Sequence, residues 1–83
     1  MHQSDFERLN LQHKLAEIFE NGEEINLRHF DGFTIKLFQL SDFFCEIWYS
    51  SEANKIYDVQ IIDTNKIVAL YPINLDFDNI ING

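Results

Sequence analysis

Three histidines, one cysteine and one acidic doublet are where covalent, metal or acid–base chemistry would have to begin in this 83-residue chain. Their spacing supports none of it. His2 lies at the N-terminus, His13 on the polar side of a helical run and His29 at the end of a strand-like run, so none stands at metal-ligand spacing with Cys45. His29 and Cys45 share a predicted face, yet a Cys–His nucleophile needs an orienting acid and an oxyanion hole, and no motif supplies either. A single cysteine in an apolar strand is ordinarily a buried structural thiol. Glu23-Glu24 precedes a strand and suits edge protection better than acid–base catalysis. Asn74-x-Asp76-x-Asp78 begins like a calcium loop, but its sixth position is Asn79 rather than glycine and its twelfth falls past Gly83. No phosphate loop, dinucleotide fingerprint or nucleophile elbow is present. No catalytic residue, cofactor or metal is therefore predicted.

What remains is aromatic: eight Phe, three Tyr and one Trp. The elements that position them follow from local signals. Ser4-Asp5-Phe6-Glu7 has the form of a capping box, and Leu9, Leu11, Leu15, Ala16, Ile18 and Phe19 fall on one half of a helix predicted over residues 5–20. Asn21-Gly22 supplies the stop, with Gly22 expected to be left-handed. Four strand-like runs follow: EINLRHF, FTIKLFQ, FFCEIWYS and KIYDVQII. Their connections are too short for crossover helices, which makes the sheet an antiparallel meander.

A two-residue Asp31-Gly32 turn would pair Phe30 with Phe33, setting Ile35 against Arg28 and Leu27 against Lys36, which mixes the faces; three-residue loops give the more uniform pairing. Phe30-Asp31-Gly32 sets His29 against Phe33, Leu27 against Ile35 and Ile25 against Leu37. Leu40-Ser41-Asp42 sets Lys36 against Glu46 and Phe38 against Phe44, with Asp42 left-handed. Glu52-Ala53-Asn54 sets Tyr49 against Tyr57, Ile47 against Val59 and Cys45 against Ile61, with Asn54 left-handed. After Ile62, Asp63 or Thr64 caps a short helix through Tyr71, ended by Pro72, or else residues 66–71 form a fifth strand. The terminal NIING is expected to fray. The predicted class is a two-layer α+β fold in a single domain, residues 1–83, with both helices on one face of the sheet.

In this register the odd-numbered face holds Ile25, Leu27, Phe33, Ile35, Leu37, Phe43, Cys45, Ile47, Tyr49, Tyr57, Val59 and Ile61, and is the predicted core. The even-numbered face sets Phe38, Phe44 and Trp48 among Lys36, Glu46 and Asp58. An aromatic centre with a polar rim has the composition of a protein interface, so these six residues form the predicted interaction surface. Self-association about a twofold axis would bury it, and so would the chain's own C-terminal segment.

Charge and composition exclude other classes. Fourteen acidic against six basic residues give −8, spread along the chain, which argues against binding phosphate backbones. No apolar run approaches the ~20 residues of a membrane span, and MHQSDFERLN predicts no signal peptide. One cysteine forms no internal disulfide and suits the cytoplasm.

The run KLFQLSDFFCEIWYSSEANKI, residues 36–56, resembles a group of small uncharacterised bacterial proteins. In these a strand ending F-Q-L precedes D-F-F-x-E-V-x-Y, a polar turn and another strand. Tyr71…Leu75-Asp76-Phe77 is similar to their C-terminal Y…I-D-L, although Pro72 and the longer N-terminal helix depart from the pattern. The resemblance implies the same fold and a bacterial cytoplasmic setting, and it brings no activity with it. The functional expectation is a non-enzymatic interaction module, a small regulator or inhibitor. The alternative is a small-molecule-binding domain with a pocket between sheet and helices.

Overall fold

The computed structural model describes residues 1–71. Along the chain run α1 (Gln3–Glu7), α2 (Leu11–Asn21), β1 (Glu23–Phe30), β2 (Phe33–Leu40), β3 (Phe43–Ser50), β4 (Lys55–Ile62) and α3 (Thr64–Leu70). The strands form one antiparallel sheet in the order β1-β2-β3-β4, so the α+β class and the meander are as expected.

The N-terminal helix is broken where one helix was predicted. Asn10 is extended at φ −74° and ψ 171°, and its Oδ1 accepts the His13 amide at 2.8 Å, starting α2 afresh. Asn competes with the helical backbone for such bonds, which favours a cap over a helix interior. Ser4 lies inside α1, whose N-cap His2 makes no side-chain cap bond, so the predicted capping box is not formed. Gly22 ends α2 at φ −84°, not left-handed as predicted. Glycine is needed there for closeness: a Cβ would lie 2.6 Å from the Ile18 carbonyl oxygen. Of the half-helix set, Ile18 is buried and Leu9 and Leu15 pack beside it, while Phe19 is 65% exposed.

At residues 64–70 the helix forms rather than the fifth strand, capped by Asp63 Oδ1, which accepts the Lys66 amide at 2.9 Å. The predicted Pro72 stop, the calcium-like Asn74-x-Asp76-x-Asp78 and the frayed NIING lie outside the described residues.

The register differs from the predicted one throughout the first two hairpins, and near the turn of the third, where the predicted Tyr49–Tyr57 pair does not form. Phe30 pairs with Phe33 across Asp31-Gly32, and Leu40 with Phe43 across Ser41-Asp42, so both turns have two residues. Asp31 (φ 49°) and Gly32 (φ 82°) are both left-handed, the type I′ pattern that matches strand twist. At the second turn the positive φ falls on Ser41 (60°) rather than Asp42. Shortening a loop by one residue flips a strand's side chains to the opposite face. Lys36 consequently faces Ile47, and Phe38 faces Cys45. The last hairpin has a longer loop, Ser50 pairing with Lys55 and Asn54 left-handed at 52° as predicted. A bulge then makes Tyr57 the extra residue, with Tyr49 opposite Ile56, and restores the expected Ile47–Val59 and Cys45–Ile61 pairs.

The flipped register gives the sheet two apolar faces. On one, Phe38, Leu40, Phe43, Cys45, Ile47 and Val59 form the main core with Phe6 and Ile18 of α1 and α2. On the other, Leu37 and Ile62 are buried with Tyr71, and Phe44 and Ile67 pack against them. The predicted odd-numbered core is thus divided at β2, and α3 lies opposite α2 rather than beside it. This accounts for β2, which buries Ile35 and Leu37 on one face and Phe38 and Leu40 on the other, as a strand covered on both faces does.

Candidate functional site

The consecutive pair Phe43 and Phe44 is resolved by these two covers. Phe43 meets the Phe6 ring at 5.4 Å in the α2-side core, and Phe44 packs on the α3 side. The predicted surface is divided in the same way. Phe38 is buried in the α2-side core, and Lys36 shares that face, its Nζ 3.3 Å from Glu24 Oε1. Phe44, Glu46, Trp48 and Asp58 share the α3 face. Phe38 and Phe44 are therefore not cross-strand neighbours, and the six residues form no single patch.

Glu46, predicted as a rim residue, is 2% exposed and is the buried charge of the fold. Arg28 reaches it from edge strand β1, donating Nε to Oε2 at 3.0 Å and Nη2 to Oε1 at 3.4 Å. Tyr71 donates its hydroxyl to Oε2 at 2.6 Å. The Arg28 guanidinium lies 5.4 Å from the Trp48 ring and 5.6 Å from the Tyr71 ring. Burial, with the Glu46 carboxylate next in effect, pushes the Tyr71 hydroxyl well above the usual tyrosine range. Both carboxylate oxygens are bonded, and the cluster ties the residue after α3 to β1 and β3.

Beyond α3, the same face carries an exposed aromatic chain. Phe30 and Trp48 meet edge-on at 6.3 Å, Trp48 and Phe33 at 5.4 Å, and Phe33 and Tyr57 at 5.3 Å. These residues come from β1, β3, β2 and β4, so the chain crosses the whole sheet. Ser50, small and paired with Phe33, leaves room for the Phe33–Tyr57 contact. Phe30 is 57% and Tyr57 62% exposed, and Phe33 and Trp48 are half-buried between them. The Trp48 indole N–H is buried and has no acceptor among the described residues.

The other face has an opening of its own. Phe19, Phe38, Ile47, Tyr49 and Ile56 line an open groove of about 540 Å³ beside α2, with the Lys36–Glu24 pair at its polar side. Four strands at ~4.8 Å spacing are about as wide as two helices, and among the described residues α2 is the helix that lines this groove, through Phe19. Cys45 is fully buried in the core, its thiol pushed up to about 12 chiefly by that burial, while exposed His29 sits 3.4 Å from Thr34 Oγ1. Among the described residues no three His, Cys, Asp or Glu side chains converge as a metal site.

The chain matches no family model, no curated protein and no solved structure. Trp48 is the one predicted surface residue that the aromatic chain retains; Phe30, Phe33, Tyr57 and Arg28 were not predicted for it. The signal was Asp31-Gly32 after Phe30, the sequence that favours a two-residue hairpin turn, set aside because that turn mixes polar and apolar residues on each face. Such a turn pairs Phe30 with Phe33 and sets Arg28 on the Glu46 face.

Proposed function

We propose that this chain is a non-enzymatic protein-interaction module, a small cytoplasmic regulator or inhibitor, whose contact surface is the Phe30–Trp48–Phe33–Tyr57 chain. The observation that carries this is the exposure of Phe30 and Tyr57 at the two ends of a continuous aromatic contact. Folding alone would favour covering such side chains, and aromatic residues dominate the energetic centres of interfaces. The partner is a foreign protein or a second copy of the chain; the charge of −8 speaks against nucleic acid. No helix among the described residues is long and apolar enough to cross a membrane. The fully buried Cys45 suits a reducing cytoplasm. A photo-crosslinking residue in place of Tyr57 tests the reading. Capture of one stoichiometric protein, or of a second copy, is expected; no adduct beyond that of a crosslinker at exposed Glu20, on α2 at the other face, would sink it.

A second reading rests on the groove. Its volume of about 540 Å³ falls within the ~300–1,000 Å³ of small-molecule sites, and its lining is apolar apart from Lys36, Glu24 and Thr34. A thermal shift with one metabolite, abolished by Ile56→Trp, would favour this small-molecule binder.

A further inference from the structure

The aromatic chain is not electrostatically neutral ground. Asp31 follows Phe30 in the first turn, Asp58 faces Trp48 across the β3–β4 pair, and Glu52 lies in the loop beyond Ser50. Arg28 is committed to Glu46, which leaves Lys55, among the described residues, as the unpaired cation on the strands at this end of the α3 face, against Asp58 on that face and Asp31 and Glu52 in the adjoining turn and loop. The fold also shows what these rings accept. The Arg28 guanidinium already lies 5.4 Å from the Trp48 ring, held between it and Tyr71. A guanidinium is planar and weakly hydrated, which suits stacking on an aromatic face beside a carboxylate. The outer rings, Phe30 and Tyr57, are the most exposed members of the chain and have no such cation among the described contacts.

Resting on the interaction-module reading, we infer that this surface docks an arginine-bearing basic segment of a partner protein. Guanidinium groups stack on Phe30 and Tyr57, and Asp31, Asp58 and Glu52 supply the complementary charge. The chain's −8 adds long-range attraction for such a segment and repulsion for an acidic one. It also opposes close pairing of two copies through this face. Because the carboxylates are exposed or half-buried, the attraction weakens as salt screens it, while ring contact persists.

Trp48 is the chain's one tryptophan and lies within the surface, so its fluorescence reports docking without a label. The experiment titrates the full chain with a peptide alternating Arg and Ser, one of equal length and charge alternating Lys and Ser, and a neutral peptide alternating Leu and Ser. Each is repeated on Phe30→Ala/Tyr57→Ala, whose fold is checked by circular dichroism. The expected result is saturable change with the Arg peptide, weaker with Lys, and about tenfold weaker again in the double variant. Equal Arg binding by the variant would assign the effect to acidic surface at large and overturn the proposal. Tighter binding of the Leu peptide, lost in the variant, would overturn the basic partner while leaving the docking surface in place. Dimerisation in sedimentation, abolished by the double variant, would make a second copy the occupant and likewise overturn it. No binding by any peptide, with no Tyr57 crosslink, would remove the module reading as well.

Discussion

Tyr71 donates its hydroxyl to Glu46 Oε2 at 2.6 Å, joining the residue after α3 to the middle of the third strand. Arg28 holds the same oxygen from the opposite side at 3.0 Å. One carboxylate thus ties an edge strand, a central strand and the C-terminal helix together. A buried charge of this kind stabilises only while its partners are complete.

Removing one partner should therefore cost more than removing the ion pair. Arg28→Met leaves the Glu46 carboxylate with Tyr71 alone and should destabilise by about 2–3 kcal/mol, below the fully buried range because Arg28 keeps some solvent access. Adding Glu46→Leu with Tyr71→Phe, which also removes the buried hydroxyl that would lose its acceptor, should recover stability to within about 1 kcal/mol of the parent, since apolar groups replace the whole cluster. Urea unfolding of the single and the triple variant decides it; a triple variant less stable than Arg28→Met refutes the coupling.

Stability should fall in alkali in two steps. Burial, and secondarily Glu46, raises Cys45 from 9.0 to about 12, so above pH 9 the unfolded chain loses a thiol proton that the folded chain keeps. The unfolded state then binds fewer protons, and this contribution is full below pH 9 and lost as pH approaches about 12. Tyr71, raised above 10.0, begins a second decline from there. Cys45→Ala should move the onset of the fall in unfolding midpoint from about pH 9 to about pH 10. An unchanged onset would mean that the thiol is not the group responsible.

The two structural glycines should respond for different reasons. Gly32→Ala meets no neighbour within 4 Å and pays only for its φ of 82°, a loss of about 1 kcal/mol. Gly22→Ala places its Cβ 2.6 Å from the Ile18 carbonyl oxygen, and should cost about 2 kcal/mol because backbone has to move. Thermal unfolding of both variants checks the order; a larger loss at Gly32 would contradict it.

Local signals in the sequence were enough for the four strands and α3, though not for the break at Asn10 that divides the N-terminal helix. Asp63 marks the start of α3, the short connections force a meander, and Asn54 ends its loop left-handed, because capping and turn chemistry act within a few residues. What the sequence left open was the face each strand presents. Pairing Leu27 with Lys36 and Arg28 with Ile35 looks like a mixed register only if one sheet face is core and the other solvent. Tertiary packing removes that premise. With α1 and α2 covering Phe38 and Cys45, and Tyr71 covering Leu37, both faces of β2 are core, and edge strand β1 tolerates either parity. Glu46 illustrates the same limit: in sequence it is a polar residue between two apolar ones, in the fold a buried anion. Its partners lie 18 and 25 residues away, and their approach is settled by how helices cover the sheet, not by any neighbour along the chain.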